Sequence, residues 1–454
     1  MLKQTLPVAW ALLLVPTTFL NAASLNAAFL DTASLDAATS TEAARRPESP
    51  RLRALVTALE ASDPNALDAF WDEIGKTHGP LIEILPEHPA DVLYTFLWRA
   101  EPGQVALNVL FNGWFPLHRT TGFDSFTRLG DSNVWYTSYT LPAAAHLRYE
   151  LIAPKGWHAA SDRATYFTLD AMEYETFHDP LNARLIDWNN STVSYVEGPA
   201  AKTSPYLTKR PEISRGSLEE LPVASRVLGN TRTLRIYLPA GYRRNAAEYG
   251  LLLAYDGNQY TQAIPTPTIL DNMIAARVIA PVIAVFLESP SRDVEFPPND
   301  SFQRFVAAEL LPQLRRHYRI SADPRRSAVL GSSYGALAAT YTAISHPDLF
   351  GNVISQSGSY GWSPTASLPQ VRGIAADTGW LIKRIAEAPR EKIRFYLDAG
   401  IWEGNVMLFS NRLLQSVLIG KGYDVVYQEG DGTHSSFYWM LRLPDGLQTA
   451  LGRR

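Results

Sequence analysis

Residues 328–337 read AVLGSSYGAL, a hydroxyl set among small residues, after an apolar run and before an Ala-rich one. A G-x-S-x-G pattern in that position predicts a nucleophile elbow: a strand ends in a sharp turn, a helix begins, and Ser333 projects its oxygen from the apex. The same pattern also occurs by chance as a plain turn of small residues, so the decision rests on partners. Serine attacks well only when a base takes its proton, an acid orients the base, and N–H donors receive the oxyanion. On this type of scaffold the acid and then the histidine follow the serine along the chain.

Both occur in that order. His434, in EGDGTHSSFYW after the last strand-like run, is the only histidine beyond His346 and is the expected base. Glu403 lies in the loop after KIRFYLDAG and is the expected acid; Asp398, at the end of that strand, is its competitor and reads more simply as a brace. The oxyanion donors are expected at the backbone of Tyr334, which follows the nucleophile, and of Asn258 in LLLAYDGNQY. His346 in SHPDLFG is expected to end the elbow helix.

Competing chemistries lack their residues. The chain has no cysteine, which removes disulfides, thiolate nucleophiles and Cys-ligated zinc. It has no H-E-x-x-H, no P-loop and no strand-following G-x-G-x-x-G, and its nine histidines do not cluster at ligand spacing. No metal site and no cofactor are expected.

The elements that must position these residues follow from periodicity. From about Arg235 onward, apolar strands alternate with helical stretches: TLRIYLPA, GLLLAYDG, VIAPVIAVFLES, the helix SFQRFVAAELLPQLRRHY, RSAVLG, the helix ALAATYTAIS, GNVISQSG, KIRFYLDAG and YDVVYQEG. That alternation predicts a mainly parallel α/β sheet with flanking helices. Ahead of it, DVLYTFLWRA, VALNVLFNG, DSNVWYTSYTL and AHLRYELIAP are short aromatic or β-branched runs between turn residues, as in an antiparallel sandwich, with Trp98, Trp135 and Tyr149 in its core. One helical segment is expected before them, over residues 52–75. The resulting division is a signal peptide over 1–28, an Ala/Ser/Thr-rich tether over 29–50, a β domain over 51–195, a connection over 196–220 and an α/β domain over 221–454.

The N-terminus carries Lys3, an apolar stretch from Val8 to Val15 and then small residues, the pattern of a cleaved signal peptide. Its apolar core is shorter than the roughly 20 residues of a bilayer span. A periplasmic or secreted protein without stable membrane insertion is the expectation. With 46% hydrophobic residues the 454-residue chain folds, and a net charge of −4 without a basic stripe argues against nucleic acid as a partner.

The chain resembles the enterochelin esterases. The resemblance lies in FWDEIGKTHGPLIE, YTFLWRA, RLGDSNVWYTSYTLP and DPLNAR in the first domain. In the second it lies in RPEISRG, VLGNTRTLRIYLPAGY, YDGNQY, RDVEFPPNDSF, AELLPQLRRHY, GSSYGA, DAGIWEG and GTHSSFYW, collinear over most of the chain after about Ala66. It implies an esterase-D-type α/β hydrolase preceded by an all-β, immunoglobulin-like sandwich. Residue by residue it implies Ser333 as nucleophile, His434 as base and Glu403 as acid. It also implies Arg292, Glu295, Arg210 and Trp439 around the substrate. Two departures stand out: Ala336 where the family usually has a second glycine, and Ser435 and Ser436 where acidic and aromatic residues often follow the histidine.

The activity implied is hydrolysis of the esters of a catecholate siderophore, ferric or iron-free, through an acyl-enzyme. The sandwich would supply a second wall for so bulky a small-molecule substrate. The nearest rival keeps the chemistry and changes the substrate to an acetyl or feruloyl ester of a polysaccharide. A rival of another class is an inert hydrolase-like binding protein, which the complete serine, histidine and acid set argues against.

Overall fold

The runs that read as unbroken apolar strands lie at the centre of one eight-stranded sheet in the computed structural model. It describes residues 47–453 except 86–90, 102–107, 112–123, 155–173, 189–190, 246 and 365–378. The expected signal peptide and most of the tether lie outside the described residues. The strands are β1 (Ser217–Ser225), β2 (Asn230–Leu238), β3 (Gly250–Tyr255), β4 (Val282–Leu287), β5 (Ser327–Ser332), β6 (Asn352–Gln356), β7 (Arg394–Gly400) and β8 (Asp424–Gly430). Their order is β1-β2-β4-β3-β5-β6-β7-β8. The β1–β2 and β2–β4 pairs are antiparallel and the remaining five are parallel.

Every residue of β3, β4 and β5 is buried, because helices cover both faces. Alternate residues of β3 divide between two cores. Leu251, Leu253 and Tyr255 pack with Phe302, Leu310 and Leu337 on one face. Leu252 and Ala254 pack with Leu443 and Leu447 on the other. Three helices connect or follow the strands that end at the site: α1 (Tyr334–Ser345) after β5, α2 (Asn405–Gly420) between β7 and β8, and α3 (Ser436–Leu451) after β8. Strand β1 begins at Ser217, inside the stretch read as a connection, because its backbone pairs with β2 along its whole length. Its largely exposed face hid it from a search for apolar runs. Among the described residues no helix is long and apolar enough to cross a membrane.

The segment expected as one helix over residues 52–75 is two, Pro50–Glu60 and Ala66–Thr77. Pro64 cannot donate a backbone bond and Ser62 turns to φ 58°. The pair packs Leu52, Leu55, Phe70 and Ile74 against Leu97 and Val134.

Two antiparallel sheets follow. One joins Leu81–Ile84, Asp91–Arg99, Val134–Pro142 and Thr127–Arg128; the other is built around His146–Pro154 and Ser191–Glu197. Val92, Tyr94 and Phe96 of the first share a core with Leu147, Tyr149 and Val196 of the second. Trp98 and Trp135 pack at its margin. These sheets and the eight-stranded one fall in a single unit, Glu48–Arg454.

Candidate active site

Strand β5 delivers Ser333 into a turn with φ 53° and ψ −120°, and α1 starts at the next residue. The two glycines around it are steric requirements. A Cβ on Gly331 would lie 2.2 Å from the carbonyl of Gly335, and one on Gly335 would lie 2.7 Å from Asp256 Oδ2. Ala336, by contrast, is buried without needing a glycine there. Ser333 N–H donates to Gln356 O at 3.0 Å, and Ser359 N–H donates to Ser333 O at 3.1 Å. The Ser333 hydroxyl lies 3.2 Å from the Ser359 hydroxyl. Tyr334 opens α1, where the first backbone N–H groups have no intrahelical acceptor. His346 closes it.

On the neighbouring strand end, Asp256 takes φ 55° and binds Arg292 through both oxygens, at 2.6 and 2.8 Å. Arg292 also reaches Ser332 O at 3.4 Å and lies over the rings of Phe296 and Tyr334. Its charge is therefore spent on bracing the elbow against the loop after β3. Asn258 N–H donates to the Glu288 carboxylate at 2.8 Å, so an anionic oxygen already occupies this expected oxyanion donor. Burial raises the Glu288 pKa, against the lowering effect of the Asn258 bond, and the charge of Asp256 raises it further.

His434 and Glu403 meet across the ends of β7 and β8. His434 Nδ1 lies 3.0 Å from Glu403 Oε2, with the Glu403 side chain fully buried and the imidazole 21% exposed. The other oxygen, Oε1, accepts from Gly400 N–H and from the Ser357 hydroxyl. Trp439 stands edge-on to the imidazole, centroids 5.0 Å apart at 86°, and its Nε1 donates to Ser357 Oγ at 2.7 Å. Asp398 is not the partner of His434. It is fully buried and accepts from Gln356 Nε2 at 3.2 Å, and among the described residues its Oδ1 has no hydrogen-bond partner. Burial pushes its carboxyl up to about 8, with the Arg442 charge opposing and Glu403 reinforcing.

Among the described residues no hydrogen bond joins Ser333 to His434; resting catalytic contacts are commonly loose. Consecutive residues connect the two halves. Gln356 receives the Ser333 N–H, and Ser357, which follows it, holds Glu403. Three non-glycine residues take positive φ here, Asp256 (55°), Ser333 (53°) and Ser357 (50°), each directly after one of the adjacent strands β3, β5 and β6. Strain gathered at one rim is a mark of a working site.

Other expected substrate contacts fall elsewhere. Glu295 is corrected to a structural role: Arg232 binds both its oxygens at 3.0 and 2.9 Å, Ser289 donates at 2.6 Å, and both charged side chains are buried. Arg210 is an exposed residue paired with its near neighbour Glu212 at 2.8 Å, and among the described residues no ion pair ties it to the site. Arg292 is paired with Asp256 within the α/β domain, with its side chain 35% exposed. Trp439 is a buried brace for His434 and Ser357 rather than an open pocket wall. Ser435, which departs from the family pattern, caps α3 by accepting from Tyr438 N–H. Ser357 and Ser359 went unpredicted; their nearest signal is the small-residue run SGS directly after a buried strand.

Residues 225–450 match the family model described as putative esterase, and residues 93–206 match the one described as enterochelin esterase, N-terminal. The iron(III) enterobactin esterase of Dickeya dadantii is 26% identical over 427 residues, covering 87% of this chain and 95% of that protein. The one from Escherichia coli K12 is 27% identical over 418 residues, covering 86% and 97%. The enterobactin esterase of Shigella flexneri, solved in the presence of enterobactin, aligns at 25% identity and a TM-score of 0.65 over 84% of this chain and 97% of that one. The ferric enterobactin esterase of Salmonella typhimurium shares the fold at a TM-score of 0.69 and 24% identity, over 84% and 98%.

Proposed function

The chain belongs to the enterochelin esterase family, with its N-terminal and esterase regions in order, and on that premise we propose that it hydrolyses the ester bonds of a catecholate siderophore of the enterobactin kind through a serine acyl-enzyme. The observation that carries this reading is the buried Glu403 holding His434 Nδ1, at the rim that also presents the strained Ser333.

Ser333 Oγ attacks the ester carbonyl carbon while His434 Nε2 accepts its proton. Glu403 keeps Nδ1–H directed at itself and stabilises the imidazolium. The oxyanion is received at Tyr334 N–H and, once Glu288 gives way, at Asn258 N–H. Collapse breaks the carbonyl carbon to alkoxide oxygen bond, and the alkoxide takes the proton from His434. Water, deprotonated by the same nitrogen, then cleaves the acyl-enzyme and restores Ser333.

Assigning the two N-terminal sheets to an immunoglobulin-like sandwich is part of the same proposal, supported by their shared core. So is export to the periplasm or beyond, with residues 1–28 removed. N-terminal sequencing of protein from its native host checks it, and soluble cytoplasmic protein starting at Met1 contradicts it.

The deciding assay compares a triscatecholate trilactone, ferric and iron-free, with feruloyl and acetyl sugar esters. The proposal expects the trilactone to have the highest kcat/KM by at least about tenfold, roughly 1.4 kcal/mol in transition-state binding. Preference for a sugar ester overturns it.

A further inference from the structure

Trp402 directly precedes the proposed acid, yet its indole lies in the core of the N-terminal sheets, with Val92, Tyr94, Phe96, Tyr139, Leu147 and Val196. It is 8% exposed, and Ile401 packs against the same cluster. Glu403 faces the other way, under His434 and Ser357. The loop that carries them has glycines on both sides, Gly400 and Gly404, the latter at φ 87°. Backbone bonds hold this loop to β8 and its following turn, and the side chains of Ile401 and Trp402 tie it to the N-terminal sheets.

The histidine loop is tied into the same arrangement. Ile401 N–H donates to Gly430 O at 3.0 Å and Trp402 N–H to Gly432 O at 3.2 Å. From the N-terminal domain, His146 N–H donates to Asp431 O at 3.3 Å, three residues before His434. Both loops that bring the acid and the base together therefore contact the N-terminal domain.

Resting on the Ser333, His434 and Glu403 reading, we infer that the N-terminal domain is a positioning element of the acid–base pair, acting through Trp402 as the anchor of Glu403. The domain then contributes to every turnover, including that of esters too small to touch it. This differs from a second wall, which serves only bulky substrates.

The test is a double-substitution cycle in the full-length protein on p-nitrophenyl acetate, using Trp402→Ala, Glu403→Gln and both together, with thermal unfolding recorded for each. Trp402→Ala is expected to lower kcat about tenfold to a hundredfold, the scale of an ångström's misplacement, with KM within about twofold. Trp402→Phe restores most of the loss. In the Glu403→Gln background Trp402→Ala changes kcat by less than about twofold, because the two act through one interaction.

A Trp402→Ala enzyme with unchanged kcat, or a loss that persists in full in the Glu403→Gln background, overturns the inference and leaves Glu403 as the acid. A Glu403→Gln enzyme of near-normal kcat overturns the acid assignment itself and the inference with it. Should Trp402→Ala not fold, the cycle with Trp402→Leu decides by the same criteria.

Discussion

Trp439 Nε1 donates to the Ser357 hydroxyl at 2.7 Å, and that hydroxyl donates in turn to Glu403. The relay orders a buried carboxylate without supplying any charge. Ser357→Ala removes the donor and leaves the indole N–H unpaired. A hydrogen bond to a charged group contributes about 1.5–3 kcal/mol, so kcat is expected to fall about tenfold to a hundredfold at nearly constant KM. Trp439→Phe keeps the ring against His434 and costs less. Equal steady-state kinetics for Ser357→Ala and wild type would exclude the relay.

Asp398 supplies a test that depends on pH. Its carboxyl has a folded value of about 8 against an ordinary 3.8, raised by burial. The native state then holds a proton that the unfolded chain has released, so this group's contribution to stability is full below about 4 and is lost as pH rises through about 8. Asp398→Asn removes that dependence. The melting temperature of the variant relative to wild type is expected to rise between pH 5 and pH 8.5, and calorimetry at both values checks it; parallel profiles contradict it. Because His434 bonds Glu403 instead, kcat of this variant stays within a few fold.

Replacing the proposed nucleophile separates chemistry from strain. Ser333→Ala should abolish turnover by orders of magnitude, while Ser332→Ala, which removes the acceptor of the Gln259 amide, is mild. A residue at φ 53° and ψ −120° stores about 1–3 kcal/mol. Ser333→Gly relieves it, less the extra freedom glycine has when unfolded. The inactive glycine variant is therefore expected to be about 1 kcal/mol more stable than the inactive alanine variant. Chemical denaturation of both measures the difference, and a less stable glycine variant refutes it.

Two residues expected near the substrate divide by burial. Glu295 and Arg232 are 7% and 4% exposed, so Glu295→Ala strands a buried guanidinium and costs about 3–5 kcal/mol. The kinetics of the molecules that still fold should be unaltered. Arg292 is 35% exposed but braces the elbow, so Arg292→Ala costs less, about 1–2 kcal/mol after solvent screening. It should slow small and bulky esters alike. Selective loss of the bulky ester would return Arg292 to the substrate.

The elbow was legible because its evidence is local: an apolar strand, G-x-S-x-G and an Ala-rich helix are contiguous. His434 and Glu403 were candidates by chain order, since Glu403 follows the buried strand β7 and His434 the half-buried edge strand β8. Pairing was not legible. Arg292 finds Asp256 across 36 positions, Arg232 finds Glu295 across 63, and Ser357 finds Glu403 across 46. Such distances close only once the strand order is known, so none of these partners can be named along the sequence. The helix break at Pro64 was visible, but apolar spacing on both sides outweighed it. Trp402 was not singled out, because nothing near it in the chain names the core it enters.

The positive-φ residues Asp256, Ser333 and Ser357 stand side by side on the rim, and a glycine would relax at each of them. Selection for heat resistance alone would favour that exchange at Ser333, whereas the ion pair with Arg292 holds Asp256 and the bonds to Trp439 and Glu403 hold Ser357. In a lineage that kept the fold and gave up hydrolysis, position 333 is expected to drift toward glycine or asparagine while the glycines flanking the elbow stay put, held by packing. Working and retired copies of this chain would then be distinguishable by one letter in their sequences, before any substrate is tried.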